Sequence, residues 1–306
     1  MINIEFNKKE LIKSPLNYTG GKYKLLPQIL PYFPDNIDTF YDLFCGGCNV
    51  GINVKASKII CNDVEYHVVN LLNKFKNEEI YEIINYIESK IQKYNLSQTS
   101  KYGYEYYNTN SSEGVANYNK KGFLKLRDDY NNNQNDNLLF FTVLCFAFSN
   151  QIRFNSKGKF NMPVNKRDFN DNLKNNLINF VNKLKDLNIY FFNNTFSKLN
   201  LEQVNKNDFI YCDPPYLTGC ASYNENNGWN NDYEKELLSF LDKLNSKGIN
   251  FALSNVLEHK GQSNDVLKDW SKKYKIIHLN NTYDNCNYHK KDVSKNSTDE
   301  VLIINY

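Results

Sequence analysis

The chain has 306 residues, 41% of them hydrophobic, and a formal charge of only +3. That allows a large α/β core with an inserted subdomain, and it excludes a global field strong enough to draw in a polyanion, so any nucleic-acid surface must be local. No apolar segment approaches the ~20 residues of a membrane-spanning helix, the opening MINIEFNKKE lacks an apolar leader core, and the seven cysteines are scattered. A reduced, cytoplasmic protein is expected. Cys45 and Cys48 have metal-ligand spacing but lack the second pair that a structural zinc site needs, so no metal is expected.

Taken in chain order, residues 21–33 read as an amphipathic helix interrupted by Pro27 and Pro31. Residues 39–45 (TFYDLFC) and 58–63 (KIICND) read as buried strands. One helix is expected from about 64 to 94, carrying Val68, Leu71, Leu72, Phe75, Ile80, Ile83, Ile84 and Ile87 at helical spacing. Residues 96–137 are rich in Asn, Ser, Tyr and Gly, with one short helix expected. The apolar run 138–148 fits either a buried helix or a strand. A polar, basic stretch follows over 150–167. Alternation then resumes: a helix ending near Lys185, strands at 189–193 and 208–212, a helix at 233–244, a strand at 250–254, a helix at 266–274, and strands at 275–279 and 300–306. About seven strands with helical crossovers are the pattern of a mostly parallel, doubly wound α/β sheet. The last two strands have no helix between them and should pair antiparallel.

Three constellations carry chemistry. Asp213-Pro214-Pro215-Tyr216 follows the apolar run 208–212, and ligands in open α/β sheets bind just outside the carboxyl ends of strands. Asp213 can accept one hydrogen of an exocyclic amine. The Pro214 carbonyl, stiffened by the fixed φ of both prolines, can accept the other. Tyr216 can stack on a flat ring. Asp-Pro-Pro is also ordinary turn chemistry.

The first strand ends in Asp42-Leu43-Phe44-Cys45-Gly46-Gly47, where glycines admit close approach of a ligand. Asp63, about 20 positions further on at the end of the second strand, stands where a ribose diol is gripped. The glycine spacing is not that of a dinucleotide fingerprint, and no phosphate-loop motif is present. The implied ligand is a nucleoside without an obligatory pyrophosphate. Both features also have structural readings, as a glycine turn and a helix N-cap. Lys22, in Asn17-Tyr18-Thr19-Gly20-Gly21-Lys22, falls in the first turn of the expected helix. A cation is unfavourable there, which points to an anionic partner such as a carboxylate.

In order and rough spacing, Tyr18–Lys22, Asp42–Gly47, Asn62-Asp63 and Asp213–Tyr216 resemble the Dam-like (alpha-group, D12 class) DNA adenine-N6 methyltransferases. The segment Arg153-Phe154-Asn155-Ser156-Lys157-Gly158-Lys159-Phe160-Asn161-Met162-Pro163 resembles the stretch beside that family's target-recognition domain. The resemblance spans nearly the whole chain. Cys48-Asn49 departs from it, standing where many relatives carry a third small residue.

The resemblance implies a Rossmann-like S-adenosylmethionine methyltransferase sheet with an inserted, mostly helical target-recognition domain. Residues 1–75 and 173–306 would form the methyltransferase domain and 76–172 the insertion. It implies S-adenosylmethionine as methyl donor, S-adenosylhomocysteine as product, and no metal. Tyr18 and Lys22 would hold the methionine end. Asp42 opens the segment in which Phe44, Gly46 and Gly47 pass under the cofactor. Asp63 would take the ribose, Thr195 or Phe196 would border the adenine, and Asp213 would lie near the methionine amino group. Asp213, Pro214, Pro215 and Tyr216 would form the catalytic clamp.

The implied partner is double-stranded DNA, with the enzyme a monomer and a cognate restriction endonuclease compatible with the family. A base inside a duplex is out of reach, so the adenine must be flipped out, at a cost of about a few kcal/mol. The DNA footprint is expected on the basic stretch, at Arg153, Asn155, Lys157, Lys159, Asn161, Lys166 and Arg167. A second contact is expected in the loop 284–299, with His289, Lys290, Lys291 and Lys295. The target sequence is left open, GATC being only the family's commonest. Rival readings are an RNA adenine or DNA cytosine-N4 methyltransferase of the same fold, and a DNA-binding protein that has lost catalysis. A nicotinamide oxidoreductase is disfavoured by the glycine spacing.

Overall fold

A computed structural model describes residues 11–18, 20–218, 228–280 and 298–306. Pro27 and Pro31 cut the first helical segment into short pieces: 3₁₀ turns at Lys22–Lys24 and Leu30–Tyr32 flank α1 (Leu26–Ile29). β1 (Thr39–Asp42) and β2 (Lys58–Asn62) follow. The single helix expected from 64 to 94 is two, α2 (Tyr66–Asn77) and α3 (Ile80–Lys93). Glu78 and Glu79 between them are extended. At the break Lys76 Nζ leaves α2 to donate to the Leu184 and Leu187 carbonyls, at 2.6 and 2.7 Å. That places a cation on carbonyls at the C-terminal end of a helix, where it is favoured.

The stretch 96–146 is more helical than its composition suggests. It holds α4 (Thr99–Tyr102), α5 (Ala116–Asn132) and α6 (Asn137–Phe146). α6 resolves the ambiguous apolar run as a helix. Leu138 to Phe146 are all buried, so no amphipathic period could show, and the Asp136 carboxylate caps the helix from the Leu139 amide at 3.0 Å. Then come α7 (Asp171–Asp186), β3 (Ile189–Phe192), β4 (Phe209–Cys212), α8 (Asn231–Ser246), β5 (Asn250–His259), β6 (Gln262–Ser263), α9 (Asp265–Ser271), β7 (Lys275–Leu279) and β8 (Thr298–Ile304). Asn170, Asn230 and Asn264 accept the first free amides of α7, α8 and α9. Part of the asparagine load is therefore capping chemistry.

The strands form one sheet in the order β3-β2-β1-β4-β5-β8-β7, with β6 paired to the end of β5. β3, β2, β1, β4 and β5 are parallel. β8 runs antiparallel between β5 and β7. The sheet is thus the mostly parallel one of a Rossmann-like methyltransferase fold. Two parallel crossovers depart from expectation. The β1–β2 link is made of turns, and the β3–β4 link holds only 3₁₀ turns at Phe196–Lys198 and Leu201–Gln203. Glycine is concentrated in the first and asparagine in the second, and both residues disfavour helix interiors.

Alternate strand residues sort into two cores, as a two-residue period requires. Phe40, Phe209 and Tyr211 pack with side chains of α2, α3, α5, α6 and α7. Tyr41, Ile210 and Cys212 pack with α8 and α9. Helices therefore cover both faces. After β1 the chain moves outward to β2 and β3, then returns to place β4 on the other side of β1. This reversal makes a switch point between β1 and β4, and its crevice opens at their carboxyl ends.

Candidate active site

The carboxyl ends of β1 and β4 open into a cavity of about 660 Å³. Tyr18, Lys22, Asp42, Phe44, Gly46, Gly47, Asp63, Thr195, Phe196, Asp213, Pro214, Pro215 and Tyr216 all line it. Thr19 lies outside the described residues. The structure thus brings together, from five separate chain segments, each cofactor-side and catalytic residue singled out in the sequence. The basic residues of 150–167 do not line this cavity.

Gly46 adopts φ +46°, and a Cβ there would lie 2.8 Å from the Tyr18 ring. The loop after β1 can thus press onto Tyr18 only with glycine at this position. The same loop is tied to β2, because Asp63 Oδ2 accepts from the Gly46 amide at 2.8 Å. Asp63 Oδ1 accepts from the Glu65 amide at 2.9 Å. Asp63 is thus partly structural, though each oxygen keeps a second lone pair. The N-cap of α2 is Glu65, whose carboxylate accepts from the His67 amide at 3.2 Å.

Asp42, at the end of β1, is buried, and among the described residues neither carboxylate oxygen has a partner at good hydrogen-bond geometry, the Phe44 and Gly51 amides making only weak contacts. Burial, reinforced by the charges of Asp213 and Asp63, pushes its carboxyl well above the usual carboxylate range. The Phe44 and Gly51 amides oppose this more weakly. A carboxyl raised on folding contributes stability below its unfolded pKa and loses it as pH rises through the folded one. Asp42→Asn should therefore stabilise the protein by about 1–3 kcal/mol at pH 8, with a smaller gain at pH 5. Denaturant unfolding at the two pH values measures this, and a gain that is absent or larger at pH 5 contradicts it.

The densest contacts surround Lys22. It is 3% exposed, and its ammonium lies 2.8 Å from Asp213 Oδ1 and 3.5 Å from Glu300 Oε1. It also donates to the Gly20 carbonyl at 2.9 Å and sits 5.0 Å from the centre of the Tyr216 ring. The Tyr216 hydroxyl lies 3.1 Å from both Asp213 Oδ1 and Glu300 Oε1. The carboxylate partners anticipated for Lys22 thus include two of the protein's own. Burial raises the Asp213 carboxyl above its ordinary range, and the Lys22 ammonium pulls it back.

Trp229, which lines the cavity, and Glu300 and Glu234, which stand behind it, escaped the sequence reading. Glu300, 1% exposed, is a charge inside the apolar strand β8, and that placement was its signal. Trp229 meets Phe44 edge-on at 5.6 Å, and Phe44 lies 5.5 Å from Phe196. Trp229 Nε1 donates to Glu234, a buried carboxylate that also accepts from Asn255 and Asn264 at 3.1 and 2.9 Å. An aromatic wall is therefore fixed from behind by α8, β5 and α9. No single-residue pattern marks it.

The basic stretch forms a small hairpin bridged between Phe154 and Phe160. Asn155 Oδ1 accepts the Lys157 and Lys159 amides, each at 3.0 Å, and Gly158 takes φ +67°. Asn161 Oδ1 accepts from Arg153 Nε at 2.8 Å, and Lys159 Nζ donates to the Asn131 carbonyl. Asn155 and Asn161 are thus engaged in building the hairpin, while Arg153, Lys157, Lys166 and Arg167 are exposed. Phe154 stacks on His67 at 4.4 Å, which sets the hairpin against the start of α2, two residues from cavity-lining Glu65. The loop 284–299 lies outside the described residues except for Thr298 and Asp299.

The model of the D12 class N6 adenine-specific DNA methyltransferases matches residues 18–285. The chain belongs to this family. It is 44% identical over 301 residues to the type II methyltransferase M.FokI of Planomicrobium okeanokoites, covering 96% of this chain and 43% of that protein. It is 44% identical over 306 residues to the modification methylase StsI of Streptococcus sanguinis, covering 97% and 43%. The DNA adenine methylase of Salmonella typhi is 23% identical over 249 residues, covering 78% and 79%. The chain therefore spans less than half the length of the first two relatives. Among the described residues, no helix is long and apolar enough to cross a membrane and no group of three or more His, Cys, Asp or Glu could hold a metal.

Proposed function

We propose that this protein transfers a methyl group to N6 of adenine in double-stranded DNA, with S-adenosylmethionine as donor. The observation that carries this reading is the convergence of Lys22, Asp63 and Asp213–Tyr216 on one cavity at the switch point. The cavity suits a nucleoside sulfonium. It offers weakly partnered acceptors on Asp42, open space at Gly20 (φ +80°), and an aromatic wall at Phe44 and Phe196. Bound there, the donor supplies an electrophilic methyl. Tyr18 and Lys22 would hold its amino-acid end, Asp63 its ribose, and Thr195 or Phe196 its adenine.

The protein's own contribution is positioning. An adenine amine is a weak nucleophile because its lone pair is delocalised into the ring. Asp213 and the Pro214 carbonyl accept its two hydrogens and favour a pyramidal nitrogen. Both hydrogen bonds to Asp213 from Lys22 and Tyr216 fall on Oδ1, so Oδ2 is the oxygen assigned to the amine. Stacking on Tyr216, about 1–3 kcal/mol per base, offsets part of the cost of flipping. Segment 76–172 serves as target-recognition domain, and the names of the relatives support a role in restriction–modification.

The test is mass spectrometry of digested DNA from an expressing host that lacks its own methylases. N6-methyladenine is expected. N4-methylcytosine, or no modified base, overturns the reading. The exposed hairpin and Lys166–Arg167 are proposed as the DNA footprint. Combining Lys157→Glu, Lys159→Glu and Arg167→Glu should weaken DNA binding and flatten its log–log salt slope by about 0.9 per lost phosphate contact. An unchanged affinity and slope in a salt titration removes this surface from the interface.

A further inference from the structure

We propose, resting on the function above, that Glu300 is a positioning residue for the catalytic clamp. It belongs to β8, far from Asp213 in sequence, yet reaches the two groups that bracket Asp213: the Lys22 ammonium at 3.5 Å and the Tyr216 hydroxyl at 3.1 Å. Those same groups lie 2.8 and 3.1 Å from Asp213 Oδ1. Two donors are thus shared between two acceptors on different strands. The arrangement has three consequences. It draws the protein's donors onto one oxygen of Asp213, so the other faces the amine. It divides the Lys22 charge between two carboxylates, so Asp213 is not fully neutralised and stays a strong acceptor. It also holds the Tyr216 ring by its hydroxyl, which sets the plane on which a base stacks.

Glu300→Gln keeps the shape and leaves the Lys22–Asp213 pair, at 2.8 Å, in place. The fold should therefore survive, and a thermal melt checks this. With methylase-free plasmid DNA, kcat should fall about 10–100-fold, the scale expected of a misplaced reacting group. The affinity for S-adenosylmethionine by calorimetry should stay within about 3-fold, less than the tenfold equivalent of 1.4 kcal/mol. Tyr216→Phe should lower kcat in the same direction, and the double variant should lose less than the product of the two single losses. Wild-type turnover by Glu300→Gln, fully multiplicative losses, or a loss of cofactor affinity as large as the loss in kcat each overturn the inference. If Glu300→Gln does not fold, Tyr216→Phe decides, and wild-type turnover by that variant refutes the proposal. Absence of methyl transfer by the wild-type protein would instead refute the function proposed above.

Discussion

Asp213→Ala should abolish methyl transfer, by at least about 10³-fold in kcat, while the fold persists. The size follows from what the residue supplies. It is an acceptor held in place by Lys22 and Tyr216, and removing one preorganised group of that kind costs about 10²–10³; here the same group also orients Tyr216 and Lys22. The survival of the fold follows from charge. Without Asp213 the Lys22 ammonium retains Glu300 at 3.5 Å and the Gly20 carbonyl at 2.9 Å, so no buried cation is orphaned. Burial also raises the Asp213 carboxyl, which marks its ionised form as costly to the folded state. Methyl incorporation into DNA, measured beside a thermal melt, tests both parts. Turnover near wild type removes Asp213 from the chemistry, and loss of the cooperative melt contradicts the charge argument.

Lys22→Met should have the opposite balance, losing stability as well as activity. It removes the cation shared by buried Glu300 and partly buried Asp213, and breaking a buried pair from one side costs up to about 3–5 kcal/mol. The pH dependence has a definite sign. Burial already raises Asp213, and the Lys22 ammonium opposes that rise. Without the lysine the carboxyl moves further up. A carboxyl raised on folding contributes stability at low pH and loses it as pH rises through its folded pKa. The variant should therefore be closest to wild type near pH 5 and furthest from it near pH 8. Denaturant midpoints across that range test this, and a deficit that is constant with pH would show that Lys22 does not govern Asp213.

The alternation of apolar strands with helical stretches predicted a mostly parallel sheet with an antiparallel end, and the sheet has that form. Helix ends were less legible. Two adjacent glutamates carry no break signal of their own, yet α2 and α3 part at Glu78–Glu79, beside the point where Lys76 reaches the Leu184 and Leu187 carbonyls at the end of α7, more than a hundred residues away. The crossovers from β1 to β2 and from β3 to β4 contain no α-helix, in keeping with their glycine and asparagine content. In the site itself, Asp213–Tyr216 and Asp42–Gly47 were visible as motifs, since their chemistry is local in sequence. Lys22 was visible as a misplaced cation. Trp229 and the Glu234 hub behind it were not, because each acquires its role from side chains on other elements; Glu300 left only the signal of a charge inside an apolar strand.

By itself, the sequence determined the class of sheet, the place of Asp213-Pro214-Pro215-Tyr216 at a strand end, the glycine turn with its distal acid, and the basic stretch 150–167. Those features depend on local backbone geometry and on residues adjacent in the chain. Only the tertiary structure decided which charges share a buried site. It placed β8 between β5 and β7 so that Glu300 reaches Lys22, buried Asp42 beside Asp213 and Asp63, and engaged Asn155 and Asn161 within the hairpin itself. The physical reason is distance. Electrostatic and hydrogen-bond terms act over a few ångströms in space, and folding, not chain order, sets which groups come that close.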